Sequence, residues 1–221
     1  MTIREDENEL FEEWCCSWQQ DDDARLDAAK FVRDGVVDEL AYRNAKHRVM
    51  LVLKEANDFD GGDLRDLIKS HPSHETWNNV TRWMIGIEGI GARDPLLWNE
   101  IDAIDLERRR SALASLCFLN LKKISGESSA QMNAIEAFVR HEPNRAFLRR
   151  QFKLYEPRPD IVICGGTGYL LWEVVEGTDK PDWQRTNKGV YYYTLHSGEK
   201  VISFFHPQVR YPAYLMHYAL M

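Results

Sequence analysis

Four short apolar runs, each passing into a polar loop, set the frame of the chain. They lie in Arg48–Asn57 (RVMLVLKEAN), Leu113–Lys123 (LASLCFLNLKK), Asp160–Gly168 (DIVICGGTG) and Val201–Arg210 (VISFFHPQVR). Apolar residues at successive positions are the pattern of strands buried on both faces of a parallel sheet. Elsewhere the spacing is mostly helical. Leu10, Phe11, Trp14 and Trp18 predict an amphipathic helix over Glu5–Gln20, Asp21–Asp23 break it, and Ala24–Asn44 reads as a second helix. Leu64–Lys69, Thr76–Ile87 and Pro95–Arg110 also read as helices, as does Met132–Tyr155, broken at Pro143. Thr167–Val175 follows a glycine turn. Val190–Leu195 and Lys200–Phe205 read as a hairpin about His196–Glu199, and Tyr211–Met221 closes the chain as a helix.

Ligands of open parallel sheets bind outside the carboxyl ends of the strands. At those ends stand Glu55 and Asn57, Asn120, the turn Gly165-Gly166-Thr167, and His206-Pro207. A carboxylate, an amide, a turn suited to phosphate and an imidazole are therefore expected on one rim.

In this order the four segments resemble the uracil-DNA glycosylase superfamily. Its first motif, a strand and a G-E-A-P-G loop, corresponds to Lys54-Glu55-Ala56-Asn57-Asp58. Its second strand ends in an asparagine, here Asn120 after Leu119. Its third strand and G-A-T-A turn correspond to Ile161–Gly168, and its closing H-P to His206-Pro207. The likeness spans roughly Arg48 to Leu220. Lys54, Asn57 and Asp58 stand where the family has glycine, proline and glycine, and Gln208-Val209-Arg210 follow the H-P where small residues and a wedge are usual.

Pattern and resemblance together predict a three-layer α/β/α domain over 47–221, with a four-stranded, mostly parallel sheet. An acidic helical extension over 1–46 is expected to precede it. The resemblance implies hydrolysis of the N-glycosidic bond of uracil or another altered base flipped from DNA. Glu55, Asn120 and His206 are then the catalytic candidates, with Asn57, Asp58 and Trp77 around the base. Lys122, Lys123, Gly165, Gly166, Thr167 and Arg210 are the candidates for contact with the DNA backbone. The chemistry suits these residue types. The departing base gathers negative charge that an imidazole N–H can meet, an amide can pair with both a donor and an acceptor of a pyrimidine edge, and a carboxylate can orient water or face the cationic sugar. Each also has a plainer use: a histidine satisfied at a strand end, an Asx turn, a lysine-paired glutamate, or a tryptophan packing a helix on the sheet. A relative that keeps the fold and binds nucleic acid without cutting it is the alternative, and a small-nucleotide hydrolase is a third class.

Composition narrows this picture. At 221 residues the chain suits one α/β domain, and 44% hydrophobic residues with seven Trp supply a sizeable core. No apolar run approaches the roughly 20 residues that cross a bilayer, and the acidic start is neither a signal nor a transit peptide. A soluble, cytoplasmic monomer without membrane contact is expected. Cys15 and Cys16 are adjacent and Cys117 and Cys164 fall inside apolar runs, so no C-x-x-C pair begins an iron–sulfur site. His71 and His74 lack a third ligand placed by sequence. No metal or other cofactor is expected. The net charge of −7 is uneven: residues 1–40 hold 13 acidic and 4 basic residues, a net of −9, which leaves +2 on the rest. Residues 108–160 carry 11 Lys and Arg against 5 Asp and Glu. A mildly basic body permits local phosphate contact, and DNA is the expected partner.

Overall fold

The computed structural model describes residues 2–19, 27–91, 96–126, 130–177 and 180–221. From the N-terminus, α1 (Ile3–Gln19) and a 3₁₀ turn (Ala28–Lys30) precede two short strands, β1 (Val32–Arg33) and β2 (Gly35–Val36), and helix α2 (Glu39–Asn44). β3 (Val49–Leu53) is followed by β4 (Gly62–Asp63), α3 (Leu64–Ser70), α4 (Thr76–Gly89), α5 (Trp98–Ile101) and α6 (Leu106–Ala114). β5 (Leu116–Asn120) precedes α7 (Met132–Arg140) and α8 (Glu142–Leu154), and β6 (Ile161–Gly165) precedes α9 (Gly168–Val175). β7 (Gln184–Arg185), β8 (Tyr191–Thr194), β9 (Lys200–Phe204) and α10 (Ala213–Leu220) complete the chain.

All four apolar runs become neighbouring strands. The main sheet has the order β2-β5-β3-β6-β9-β8-β7. Its central members β5, β3, β6 and β9 are mutually parallel, whereas β2, β8 and β7 join antiparallel at the two edges. Among the described residues the sheet thus has seven strands rather than the expected four. Two of the additions are two residues long, and β7 is exposed along its length. Strands so short carry no hydrophobic period to read.

The central runs are apolar throughout because both faces are covered. Met50, Val52, Cys117, Leu119, Val162 and Cys164 face a core completed by α1, α7, α8 and α9. Val49, Leu51, Leu53, Leu116, Phe118 and Ile163 face a second core completed by α3, α4, α6 and α10. Among the described residues no helix is long and apolar enough to cross a membrane.

The N-terminal region departs most from expectation. Where Ala24–Asn44 was expected to be one helix, residues 28–44 form the 3₁₀ turn, β1, β2 and the short α2; residues 24–26 lie outside the described ones. Asp27 and Asp38 each cap a new helical start by accepting a backbone N–H. Between them Gly35 takes φ 128°, where a Cβ would lie 1.9 Å from Glu7 Oε1. Tertiary pairing of Gly35 and Val36 with Phe118 and Cys117 outweighs local helix propensity here.

Described residues on both sides of position 46 share the same cores, although an extension over 1–46 was expected. Phe11, Trp14 and Trp18 of α1 lie inside the first core, and both indole N–H groups donate to Asn144 Oδ1 at 2.8 and 2.9 Å. Glu7 is fully buried, ion-paired with Arg65 and accepting the Val36 N–H at 2.8 Å. Burial pushes the Glu7 carboxyl up to about 7 against the pull of the Arg65 guanidinium. The expected helix over Pro95–Arg110 is also two helices, α5 and α6, because Asp105 starts the second by capping Arg108 N–H. Pro143 sits in the first turn of α8, where its missing N–H costs nothing.

Candidate functional site

Because β5, β3, β6 and β9 run parallel, their carboxyl ends share one edge of the sheet. Leu53 stands opposite Asn120 and Gly165 opposite Phe204, so Glu55, Asn120, Gly166 and His206 all emerge there. The loops after β3 and β5 are tied together beyond the strands: Leu121 N donates to Leu53 O at 3.0 Å, Lys122 N to Lys54 O at 2.9 Å, and Gly126 N to Ala56 O at 2.9 Å. A cleft of about 690 Å³ opens at this edge, and Lys54, Glu55, Asn57, Asp58, Trp77 and His206 are among the residues lining it.

Asn120 ends β5 fully buried. Its backbone N–H donates to Asp34 Oδ2 at 2.7 Å, yet among the described residues both Oδ1 and Nδ2 of its side chain lack a partner. Strand alternation puts that side chain on the face of Leu116 and Phe118, and Phe118 lines the cleft. Trp77 stands edge-on to Phe118, with ring centroids 5.4 Å apart, and its buried indole N–H is also unpartnered. A buried polar group left unmatched costs about 1–3 kcal/mol, so two on the face of Phe118 need a reason.

Glu55 is held from two sides. Lys122 Nζ donates to its Oε2 at 2.5 Å, and the carboxylate lies so close to Gly126 that a Cβ there would sit 2.1 Å from Oε1. Asn57 Nδ2 reaches Asp58 Oδ2 at 3.3 Å, and Asp58 adopts φ 47° at the turn of this loop. Both are exposed at the cleft rim.

His206 follows β9 and its Nδ1 accepts the Gln208 backbone N–H at 3.2 Å. The neutral ring therefore carries its proton on Nε2. Burial, helped by the positive charge of Lys54, holds this imidazole below its ordinary range. The loop is braced by Asn79 Nδ2 donating to Pro207 O at 2.6 Å and by Val209 N donating to His206 O at 2.9 Å.

No protein-family model matches this chain, and no curated protein does either.

The backbone-contact candidates divide. Gly166 is an exposed turn at φ 74°, and Arg210 is exposed without a partner among the described residues. Lys122 is committed to Glu55. Lys123 is corrected outright: it is fully buried, with Nζ 2.7 Å from both oxygens of Asp34, and cannot reach a nucleic acid. Two adjacent lysines in a polar loop look alike in sequence, but successive residues point to opposite sides. Gly165 is buried against Leu53, and the buried Thr167 hydroxyl donates to Val52 O at 2.8 Å.

Four polar lining residues, Lys54, His74, Thr76 and Gln208, were not among the expected site members. Lys54 counted only as a replacement for glycine, yet its Nζ lies beside the Gly166 turn and its charge acts on His206. His74 and Gln208 meet at Thr76 Oγ1, each 3.0 Å away, on the cleft wall. Position just beyond a buried strand was the available signal for Lys54, and the place directly after His206-Pro207 for Gln208; His74 and Thr76 had none. Among the described residues no group of three or more His, Cys, Asp or Glu is placed to hold a metal ion.

Proposed function

We propose that the cleft takes up a nucleobase turned out of a DNA strand and that the protein hydrolyses its N-glycosidic bond, in the manner of the uracil-DNA glycosylases that the sequence resembles. The observation that carries this reading is the Asn120 side chain, buried on the strand face it shares with Phe118, a residue of the cleft lining, with an acceptor and two donor hydrogens unmatched among the described residues. An amide of that kind pairs with adjacent donor and acceptor atoms of a pyrimidine edge. Around it the remaining chemistry has a place. His206 Nε2–H faces negative charge gathering on a base oxygen as the bond to the sugar breaks and its electron pair leaves with the base. The Glu55 carboxylate faces the cationic sugar and orients the water whose oxygen bonds to the sugar carbon; the proton that this water loses passes to the carboxylate and on to solvent, and the departed base takes one up from solvent. Lys122 and Gly126 hold that carboxylate in place.

A second reading, a relative that binds nucleic acid without cleaving it, is favoured by one specific contact. The Glu55 side chain is only 6% exposed and already ion-paired with Lys122, which leaves little room for water. The test is a nicking assay on oligonucleotides carrying a panel of altered bases, developed with alkali to break abasic sites. Excision by the wild type, lowered about 10²-fold or more in Asn120→Ala and in His206→Ala, is the expected result. Tight binding with no abasic product on any base selects the second reading.

A further inference from the structure

Beside the cleft, one loop presents two faces. Between β9 and α10, His206 and Gln208 line the cleft while Phe205, Arg210 and Tyr211 remain in solvent. Phe205 is 45% and Tyr211 56% exposed, and their rings lie 5.0 Å apart at 50°. Single exposed aromatics are ordinary on protein surfaces. A touching pair next to a cleft with unmatched polar groups is a different case. The pair is also anchored. Phe205 leans on Phe204, whose ring is 5.4 Å away inside the second core, and Val209 packs against that core between them. Asn79 and the His206–Val209 hydrogen bond fix the same turn, so holding the rings in place on binding costs little further entropy.

We infer that Phe205 and Tyr211 form a stacking platform for bases of single-stranded DNA flanking the base held in the cleft, with Arg210 on the adjacent phosphate. This names the strand state of the substrate and rests on the base-binding reading of the cleft. Bases inside a duplex keep their faces stacked on each other, so a platform of this kind is useful only where the strand is already open. Charge points the same way. Outside residues 1–40 the chain has a net charge of only +2, and of the lysines after β5 one is buried and one is paired. Among the described residues Lys54 and Arg210 are cations of the cleft's loops without an ion pair; aromatic stacking asks for few such charges, whereas tracking a duplex backbone asks for several.

The experiment is fluorescence anisotropy with a labelled, undamaged oligothymidine, alone and annealed to its complement, using the full-length protein. The single strand is expected to bind at least about tenfold more tightly than the duplex, with a shallow salt dependence. Phe205→Ala and Tyr211→Ser are each expected to weaken single-strand binding about tenfold, while Tyr211→Phe keeps it. Duplex binding as tight as the single strand, unchanged affinity in both ring-removing variants, or tighter binding of oligouridine RNA would overturn the platform. The abasic-site assay separates this from the reaction. Platform binding without excision removes the glycosylase reading alone, and excision with unchanged binding in the variants removes the platform alone.

Discussion

Lys123 Nζ lies 2.7 Å from both carboxylate oxygens of Asp34, and neither side chain reaches solvent. Asp34 also accepts the Asn120 N–H at 2.7 Å and the Gln151 amide at 2.8 Å. One buried carboxylate thus fixes the end of β5, where Asn120 stands, and the turn beyond it. Removing one partner of a buried pair leaves the other charge unmatched and costs about 3–5 kcal/mol. Asp34→Ala and Lys123→Met are each expected to lose that much stability in urea denaturation, and the double variant to lose less than the sum. Near-wild-type stability in both single variants would refute this account of the turn.

Gly126 is expected to be intolerant for a local reason. An alanine Cβ there would lie 2.1 Å from Glu55 Oε1 and 2.2 Å from its Cδ, so the carboxylate must leave the Lys122 ammonium. Displacement of a reacting group by about 1 Å can lower turnover about 10²-fold. Gly126→Ala should therefore lose excision on that scale while its thermal midpoint stays within a few degrees of wild type. An unaltered excision rate would mean that the placement of Glu55 does not matter to the reaction.

The His206 imidazole titrates below its usual 6.5 because of burial first and the Lys54 charge second. The unfolded chain then binds the proton more readily than the folded one. Stability from this group is fully present above the unfolded pKa and is lost as pH falls from there toward the folded value. Protonation also puts a hydrogen on Nδ1 and ends its bond with the Gln208 N–H. Lys54→Met should move the imidazole pKa upward, observed by NMR titration of the ring, and shift the acid limb of any excision profile upward with it. A lower or unchanged pKa in that variant would show that Lys54 does not act on the ring.

Much of the fold was legible because burial on two faces leaves a continuous apolar run, and four such runs became the parallel centre of the sheet. Glu55, Asn57 and His206 were expected on one rim from their place after those runs, Asp58 and Trp77 from the resemblance, and all five line one cleft. The N-terminal region was not legible in the same way. Its acidic residues suggested an outlying segment, yet Glu7 and Asp34 are among the most buried charges in the molecule. Sequence shows the sign of a charge but not its partner, and Arg65 and Lys123 lie 58 and 89 positions away from them.

By itself the sequence determined the parallel core, the shared edge of the strand ends and the residue types on it, because periodicity and strand direction are local properties that parallel pairing turns into position. Only the tertiary structure decided that Lys122 turns to Glu55 while Lys123 turns to Asp34, that α1 belongs to the core, and that the buried amide of Asn120 has no partner among the described residues. Those outcomes depend on which distant groups meet once the chain is packed, and no spacing along the chain records that.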